Sequence, residues 1–265
     1  MPAPPEGLDF YQKGLRVVPE HVWHNPQLTY LNLAENQLQE IPESLGRLAR
    51  LHTLDLGHNR IRQLPQALGD LPDLHKYLYV SNNGLESLPG NLTRLNRLAY
   101  FNVTHNRLTS LPSDLGRMEG LQELRAYHNQ LTKLPDSLGL LHQLVELHLE
   151  HNDLRELPHT LGGLTSLREL NLEKNHLQQL TPAFAQLTQL RRANFRFNQL
   201  QELPKEIGQL TQLQWLDLRA NQLRQLPEEI GRLPALEKLD LRWNHQLVPG
   251  PELEVLRQRG CRVLL

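Results

Sequence analysis

The chain contains few of the residues on which many cores and sites depend. Among its 265 residues there are one cysteine, two methionines and three tryptophans, and aromatic residues make up 5%. A single cysteine excludes a disulfide within the chain and a metal site built from several of its own thiolates. We therefore expect the reducing cytoplasm as its compartment, and a buried, inert thiol at Cys261.

The chain also lacks an excess of charge of one sign and any long apolar run. Its 28 basic residues face 29 acidic ones, which gives a formal net charge of -1, and the mean hydropathy is -0.50. We expect no nucleic-acid partner, because a general basic surface is missing. No stretch approaches the ~20 apolar residues that cross a bilayer, and MPAPPEGLDFY does not resemble a signal peptide. We expect no membrane association, although export without a cleavable signal stays open.

What the chain has in abundance is leucine, in a repeat of 23 residues. There are 62 leucines, and the block LTYLNLAENQLQEIPESLGRLAR from Leu28 aligns with LHTLDLGHNRIRQLPQALGDLPD from Leu51. One asparagine marks each block, and eight of the nine spacings between these asparagines are 23. The ninth spacing is 24, because Leu74 is followed by HKY, which predicts a bulge entering that strand. The asparagines are Asn36, Asn59, Asn83, Asn106, Asn129, Asn152, Asn175, Asn198, Asn221 and Asn244.

Each part of the repeat predicts a local structure. The alternation LxL is the period of a strand, and stacked identical coils pair such strands into a parallel sheet. The asparagine follows the strand, where its amide can satisfy backbone groups that neighbouring coils would leave unpaired. LPxxLGxL favours a short helical or 3₁₀ turn. We therefore predict an α/β solenoid, a horseshoe with a concave parallel sheet and short turns on its convex side.

The ends of the repeat differ from its middle. Residues 1–27 are predicted to form a partial coil and N-terminal cap, and residues 28–248 to form ten coils. Pro249 and Pro251 stop the repeat, so residues 249–265 are predicted to form a capping helix, with Leu253 and Leu256 inward, and a short strand. The whole chain, residues 1–265, is interpreted as one domain.

The pattern LxxLxLxxNxLxxLPxxLGxLxx resembles the leucine-rich repeat family from about Leu8 to Leu247. The LP and LG spacing looks like the intracellular group found in Ras-pathway scaffolds, plant relatives and many bacterial proteins. The ending LDLRWN followed by LxxRGCxVLL looks like the close of bacterial members. The resemblance implies a non-catalytic protein-protein interaction module.

Candidate binding residues are those that project from the predicted concave sheet, at the third, fifth, seventh and eighth positions of each coil. All six tyrosines fall there, as do Phe197 and two tryptophans. Aromatic side chains with a polar tip bury large areas at protein interfaces. Tyrosine is also a good strand residue that stacks on its neighbours, and this structural interpretation stays open. The aromatic candidates are Tyr30, Tyr77, Tyr79, Tyr100, Tyr127, Trp215 and Trp243.

Charge at the same positions is zoned. The first coils carry Asp9, Glu35 and Asp55 without a basic residue. The middle coils are mainly acidic and the last coils mainly basic, with Arg125, Lys174, Asp217 and Asp240 as the exceptions. The arginines at the seventh position either hold an acidic partner or pair with Asp217, Asp240 and Glu173. The charged and histidine candidates are Glu123, Glu146, His148, Glu150, Glu169, Glu173, Arg192, Arg196, Arg219, Lys238 and Arg242.

No motif of a nucleotide-binding, hydrolase, kinase or deaminase site occurs, so we expect no catalysis and no cofactor. His105, His128 and His151 share the eighth position, which raises the alternative of a zinc or nickel site, but we predict no metal. The predicted function is binding of a protein or extended peptide on the concave face by a monomer. One alternative is a structural or host-directed, effector-like module that binds through its flank or convex face. The other is a metal-dependent activity centred on His128, His148 and Glu150.

Overall fold

The computed structural model describes residues 6–265, so residues 1–5, the start of the predicted N-terminal cap, lie outside it. The described residues form two compact units, which meet between residues 130 and 131 and are called the N-terminal and the C-terminal unit. Both units are built from the same coil, which consists of a short strand, a left-handed turn at an asparagine and a 3₁₀ turn. Among residues 6–265, no helix combines the length and the apolar character that crossing a membrane requires.

Between residues 6 and 130 the N-terminal unit contains six strands that pair in sequence order, each parallel to the next. They are β1 (Glu6–Asp9), β2 (Leu28–Asn32), β3 (Thr53–Asp55), β4 (Tyr77–Tyr79), β5 (Tyr100–Asn102) and β6 (Glu123–Arg125). The 3₁₀ turns between them are Glu20–His24, Glu43–Arg47, Gln66–Asp70, Gly90–Arg94 and Leu115–Arg117.

The C-terminal unit repeats this arrangement with six more parallel strands. They are β7 (Glu146–His148), β8 (Glu169–Asn171), β9 (Arg192–Asn194), β10 (Trp215–Asp217), β11 (Lys238–Asp240) and β12 (Arg262–Leu264). Its 3₁₀ turns are Asp136–Leu140, His159–Gly163, Pro182–Gln186, Lys205–Gln209 and Glu228–Arg232, and its one helix is α1 (Pro251–Gln258). The predicted solenoid of parallel strands and short 3₁₀ turns is confirmed.

Buried apolar side chains lie in the terminal elements of the chain. Leu253 and Leu256 of α1 are each 1% exposed, and β12 pairs with β11. Trp23 covers the first coil and is 1% exposed. Cys261 is buried, and burial raises the pKa of its thiol, which keeps the nucleophilic thiolate scarce.

The asparagines connect each coil to its neighbour, as the sequence predicts. The Asn198 side chain accepts a hydrogen bond from the Leu177 amide at 3.0 Å. Its amide group donates to the Leu172 carbonyl of the previous coil at 2.9 Å and to the Phe195 carbonyl of its own coil at 3.0 Å. Since the side chain is buried, one amide satisfies three backbone groups that water does not reach.

The eighth position, which the sequence analysis placed among the residues projecting from the sheet, lies beyond the strand in a left-handed conformation. The strands of the regular coils cover only the third to fifth positions, and the residue before each ladder asparagine has a φ between 51° and 66°. Histidine and asparagine tolerate this region better than bulky residues. Phe197 and Trp243 adopt it nevertheless, so the backbone there is held by the surrounding coil rather than by local preference.

The extra residue of the third block is absorbed just before β4. The carbonyls of His75 and Lys76 each accept one amide of the next coil, from Ala99 and Tyr100. In the following coil the single carbonyl of Ala99 accepts two amides. His75 and Lys76 thus together take the place that one residue, such as Ala99, has in a regular coil, in agreement with the predicted bulge. Strand β4 itself keeps regular register with β3 and β5.

We expect the substitution Asn198→Ala to lower the free energy of unfolding of the chain by roughly 2 to 3 kcal/mol, because it leaves buried backbone groups without partners. Urea denaturation followed by circular dichroism measures this change. Gln178→Ala, an exposed polar substitution, serves as the control and should stay within about 0.5 kcal/mol of the native chain. Equal effects of the two substitutions would contradict the bridging role of the asparagine.

Candidate functional site

The strand face of each unit, defined as the side chains at the third, fifth, seventh and eighth positions of its coils, carries the predicted site residues. In the N-terminal unit its most prominent feature is a tyrosine cluster of Tyr77, Tyr79 and Tyr100. The ring centroids lie 6.0 Å apart for Tyr77 and Tyr79, 5.6 Å for Tyr77 and Tyr100, and 5.0 Å for Tyr79 and Tyr100. Burial raises the pKa of Tyr100 to about 12, whereas Tyr77 is 45% exposed. The cluster is therefore anchored on one side and open on the other.

Two carboxylates of different character lie beside these rings. Glu123 forms an ion pair with Arg125 of the same strand, and the Arg125 guanidinium carbon lies 5.8 Å from the centre of the Tyr100 ring. Asp55 is half-buried and accepts the Gly57 amide at 2.8 Å. Burial raises the pKa of Asp55 above its ordinary value. Tyr30, which lies in β2, is also exposed.

Two histidines at the eighth position of the N-terminal unit, His105 and His128, stack on each other. The rings of His105 and His128 have centroids 4.3 Å apart and are inclined by 15°, and Tyr127 meets both edge-on. Burial lowers the pKa of His105, and His128 beside it acts in the same direction. This pair therefore favours neutral, stacked imidazoles.

In the C-terminal unit the predicted arginine ladder divides into two kinds of residue. Arg219 and Arg242 each form an ion pair with the aspartate two residues earlier, Asp217 and Asp240. The Arg219 Nε lies 2.9 Å from both Asp217 carboxylate oxygens and 3.5 Å from an Asp240 oxygen. Both aspartate side chains are fully buried. For these two arginines, internal pairing is the alternative that the structure supports.

Arg196 differs from the other two arginines, because the residue two positions earlier is Asn194. Its Nε is buried without a hydrogen-bond partner, and its guanidinium carbon lies 4.4 Å from the Phe197 ring centre. Glu173, proposed from sequence as a partner of the ladder, instead accepts a hydrogen bond from the Asn194 amide at 3.1 Å. That part of the sequence-based pairing scheme is therefore wrong.

Phe197 and Trp243 stack across Ala220, which lies at the same position of the intervening coil. Their centroids are 6.2 Å apart and their planes are inclined by 18°. The guanidinium carbons of Arg196, Arg219 and Arg242 lie 5.6 Å, 5.9 Å and 5.8 Å from the Trp243 ring centre. Trp243 is 49% exposed, so this surface presents an indole ring supported by cations.

The other candidates of this unit lie along its strands. Strands β8 to β11 form a cleft of about 570 Å³ whose charged and aromatic lining consists of Glu169, Arg192, Trp215, Glu237 and Lys238. The Lys238 Nζ lies 5.7 Å from the Trp215 ring centre. His148 and Glu146 of β7 are in contact, with 3.2 Å between Nε2 and Oε2, and Glu150 is half-buried.

The sequence leaves pairing with Asp217 and Asp240 as one of two alternatives for the arginines, and it does not single out Phe197 as a candidate binding residue. The signal was present in the pattern LDLRxN, which places an aspartate two residues before an arginine in two consecutive coils. Two residues along a strand lie on the same face, so this spacing brings the side chains together.

Family models match most of the chain. A model described as a leucine-rich repeat region matches residues 12–109 and 90–202, and one described as a leucine rich repeat matches residues 188–245. The chain belongs to the leucine-rich repeat family. Its intracellular subtype and bacterial type of C-terminal end stay predictions. No curated protein matches the sequence.

Solved leucine-rich repeat structures resemble the chain. The plant peptide hormone receptor RGFR1 in complex with RGF2 is 25% identical with a TM-score of 0.74, and the match covers 85% of this chain and 42% of the receptor. A TDR receptor is 28% identical with a TM-score of 0.70, covering 90% and 47%. An internalin, inlF of Listeria monocytogenes, is 24% identical with a TM-score of 0.58, covering 98% and 86%, and it supports the fold alone. The chain thus spans less than half of the length of either receptor.

We expect Arg219→Met to destabilise the C-terminal unit by roughly 3 kcal/mol, because the buried Asp217 carboxylate loses its principal ion-pair partner. Addition of Asp217→Asn to this variant should restore part of the loss. Thermal and urea unfolding measure both changes. Arg192→Met, on an exposed arginine of the same face, is the matched control and should cost less than about 0.5 kcal/mol. A double variant as unstable as the sum of its two single variants would contradict the pairing.

We expect the carboxyl groups of Asp55 and Asp240 to titrate on opposite sides of 3.8, the ordinary aspartate value. Burial raises the pKa of both groups, but in Asp240 the Arg242 hydrogen bond and the Arg219 charge outweigh burial and lower it. The Asp240 contribution to stability is then present above 3.8 and is lost as the pH falls through its folded pKa. For Asp55, stability decreases as the pH rises from 3.8 through its raised pKa.

Carbon-detected NMR of the side-chain carboxyls measures both midpoints directly. Arg242→Gln should move the Asp240 midpoint upward and leave the Asp55 midpoint unchanged. An Asp55 midpoint at or below the ordinary value would show that burial does not dominate at this carboxylate.

Proposed function

We propose that this chain is a non-catalytic module that binds a protein or an extended peptide on its strand face. The observation that carries the proposal is the exposure of contacting aromatic side chains on a face that is otherwise polar. Tyr77 and Trp243 are 45% and 49% exposed, and each contacts further aromatic or cationic side chains. Aromatic and arginine side chains are the groups that dominate binding energy at interfaces.

The similar structures support the same class of function. Leucine-rich repeat proteins are generally binding modules without catalytic activity. The receptor RGFR1, which this chain resembles over 85% of its length, is described in complex with RGF2. A peptide-like partner fits the strand face, because its side chains alternate along an extended backbone and successive coils offer side chains at regular strand spacing.

The strand faces of the two units offer different charges to a bound partner. The exposed Tyr77 and half-buried Asp55 of the N-terminal unit suit basic and apolar groups. Arg192, Arg196 and Lys238 of the C-terminal unit suit acidic groups, because no salt bridge within residues 6–265 neutralises them. Complementary charge of this kind raises the specificity and the association rate more than the affinity.

Selection of random dodecapeptides on the native chain tests the proposal whatever the sequence of the natural partner. The strand-face variant combines Tyr77→Ala, Tyr100→Ala, Arg192→Ala and Trp243→Ala, and it spares the buried Asp-Arg pairs. We expect it to bind the enriched peptides at least 100-fold more weakly than the native chain, as measured by calorimetry. Trp243→Ala is compatible with the backbone, because Ala220 already occupies the same left-handed position.

The matched control is a flank variant with four alanines at Gln178, Gln201, Arg224 and Gln225, which line a polar groove outside the strand face. It should retain the native affinity. Loss of binding in the flank variant with retention in the strand-face variant would assign the partner to the flank and overturn the proposal. Equal melting temperatures of the two variants exclude unfolding as the cause.

A further inference from the structure

The two Asp-Arg pairs of the C-terminal unit are built in the same way. In each, an aspartate ends the strand, and the arginine two residues later folds back onto it. The Arg242 Nε lies 2.9 Å from Asp240 Oδ1 and its Nη2 lies 2.7 Å from Oδ2. In the other pair, Asp217 Oδ1 also accepts the backbone amide of Arg219 at 3.1 Å. We call the fifth-position aspartate, Asp217 or Asp240, the carboxylate seat, because it binds the guanidinium of the arginine two residues later.

An aromatic ring accompanies each seated guanidinium. Trp243 lies 5.9 Å from the Arg219 guanidinium carbon and 5.8 Å from that of Arg242. The complete arrangement therefore has three parts: a carboxylate fixed by a backbone amide, a guanidinium bound to it, and an aromatic face beside the cation.

Asp55 occupies the same fifth position in the N-terminal unit and is fixed in the same way, by the Gly57 amide at 2.8 Å. The seventh position, which is arginine in the coils of Asp217 and Asp240, is here glycine. A Cβ placed on Gly57 would lie 3.1 Å from Asp55 Oδ1 and 3.2 Å from Ser81 Oγ, at the root of the missing side chain. Within residues 6–265, no cationic side chain forms a salt bridge with Asp55. The carboxylate seat is present and its guanidinium is absent.

The aromatic part of the arrangement is present as well. Tyr79 of β4 pairs in register with Asp55 of β3, so the ring and the carboxylate project from adjacent strands. Tyr79 in turn contacts Tyr100, with 5.0 Å between the centroids. Tyr30 lies on the other neighbouring strand, β2, and interacts electrostatically with Asp55. Two of the three parts, the fixed carboxylate and the aromatic ring, are thus present at Asp55.

We propose that Asp55 binds the guanidinium of an arginine side chain of the partner, which takes the place that Arg219 and Arg242 occupy within the chain. The site rests on the proposed function, since it names one side chain that the bound protein or peptide carries. Arginine fits better than lysine, because a planar guanidinium forms two parallel hydrogen bonds to a carboxylate and stacks on an aromatic ring.

The test uses the full chain and a small probe, acetyl-Gly-Arg-Gly-amide, with citrulline and lysine analogues for comparison. The Gly57 amide donates to Asp55 and reports on it in proton-nitrogen NMR spectra. We expect the arginine peptide to shift this amide saturably, the lysine analogue to bind more weakly, and the uncharged citrulline analogue to leave it unchanged. An equal response to arginine and citrulline, or no response to arginine, overturns the proposal.

Variants separate the specific seat from general charge. D55N should weaken the arginine probe by roughly tenfold or more, whereas E40Q, which removes one negative charge from exposed Glu40 of the same unit, should not. Gly57→Arg should supply the guanidinium internally and block the probe, as observed by saturation transfer to the peptide. Gly57→Ala adds the Cβ without the cation and should therefore weaken the probe much less than Gly57→Arg does. Equal losses in G57A and G57R overturn the proposal.

The same peptide selection distinguishes failure of this site from failure of the proposed function. If enriched dodecapeptides bind the strand face without an arginine and bind D55N as tightly as the native chain, the function stands and this site fails. If the probe shifts Gly57 but no dodecapeptide is enriched, the site stands and the proposed function fails.

Discussion

The hydrogen bonds of the ladder asparagines are the constraint on which the rest of the structure depends. A coil of 23 residues has only three residues of strand in its regular form, so several backbone groups after the strand would face a leucine core without partners. One carboxamide has a donor group and an acceptor group on a short, stiff side chain. It can therefore bridge its own coil and the preceding one, as Asn198 does with Leu172, Leu177 and Phe195. Leucine supplies the burial, but asparagine fixes the spacing and register of the coils.

The left-handed residue before each asparagine follows from this bridge. The residue before the asparagine adopts a left-handed backbone conformation, which turns the asparagine carboxamide inward immediately after the strand. Side chains at that position contact one another between neighbouring coils, as His58 does with Glu35 and Asn82. This is why Phe197 and Trp243 reach across Ala220 to stack, and why His105 and His128 stack face to face. A backbone requirement of the core thereby creates aromatic surface that is available for binding.

The sequence predicts the fold well and the site only in part. Ten copies of one pattern leave little freedom for strands, turns and caps, and even the extra residue before Tyr77 is correctly interpreted as a bulge. Which charged groups pair is less visible, because pairing depends on rotamers and on the depth of each position. From the sequence, Asp217 and Arg219 are both expected on the surface. In the structure the aspartate side chain is fully buried and the arginine covers it. The binding residues themselves stay a prediction from their positions.

A count of the charged residues on such a surface therefore overstates the net charge that a partner encounters. Of the five basic residues of the last coils, Arg219 and Arg242 are neutralised by buried aspartates, which leaves Arg192, Arg196 and Lys238 to act outward. The reverse holds in the first coils, where Asp55 has a seat without a cation. The information for recognition then lies less in the residues that complete a repeated arrangement than in the coils where one part of it is missing. In a repeat protein such departures are visible because the neighbouring coils show what the complete arrangement contains.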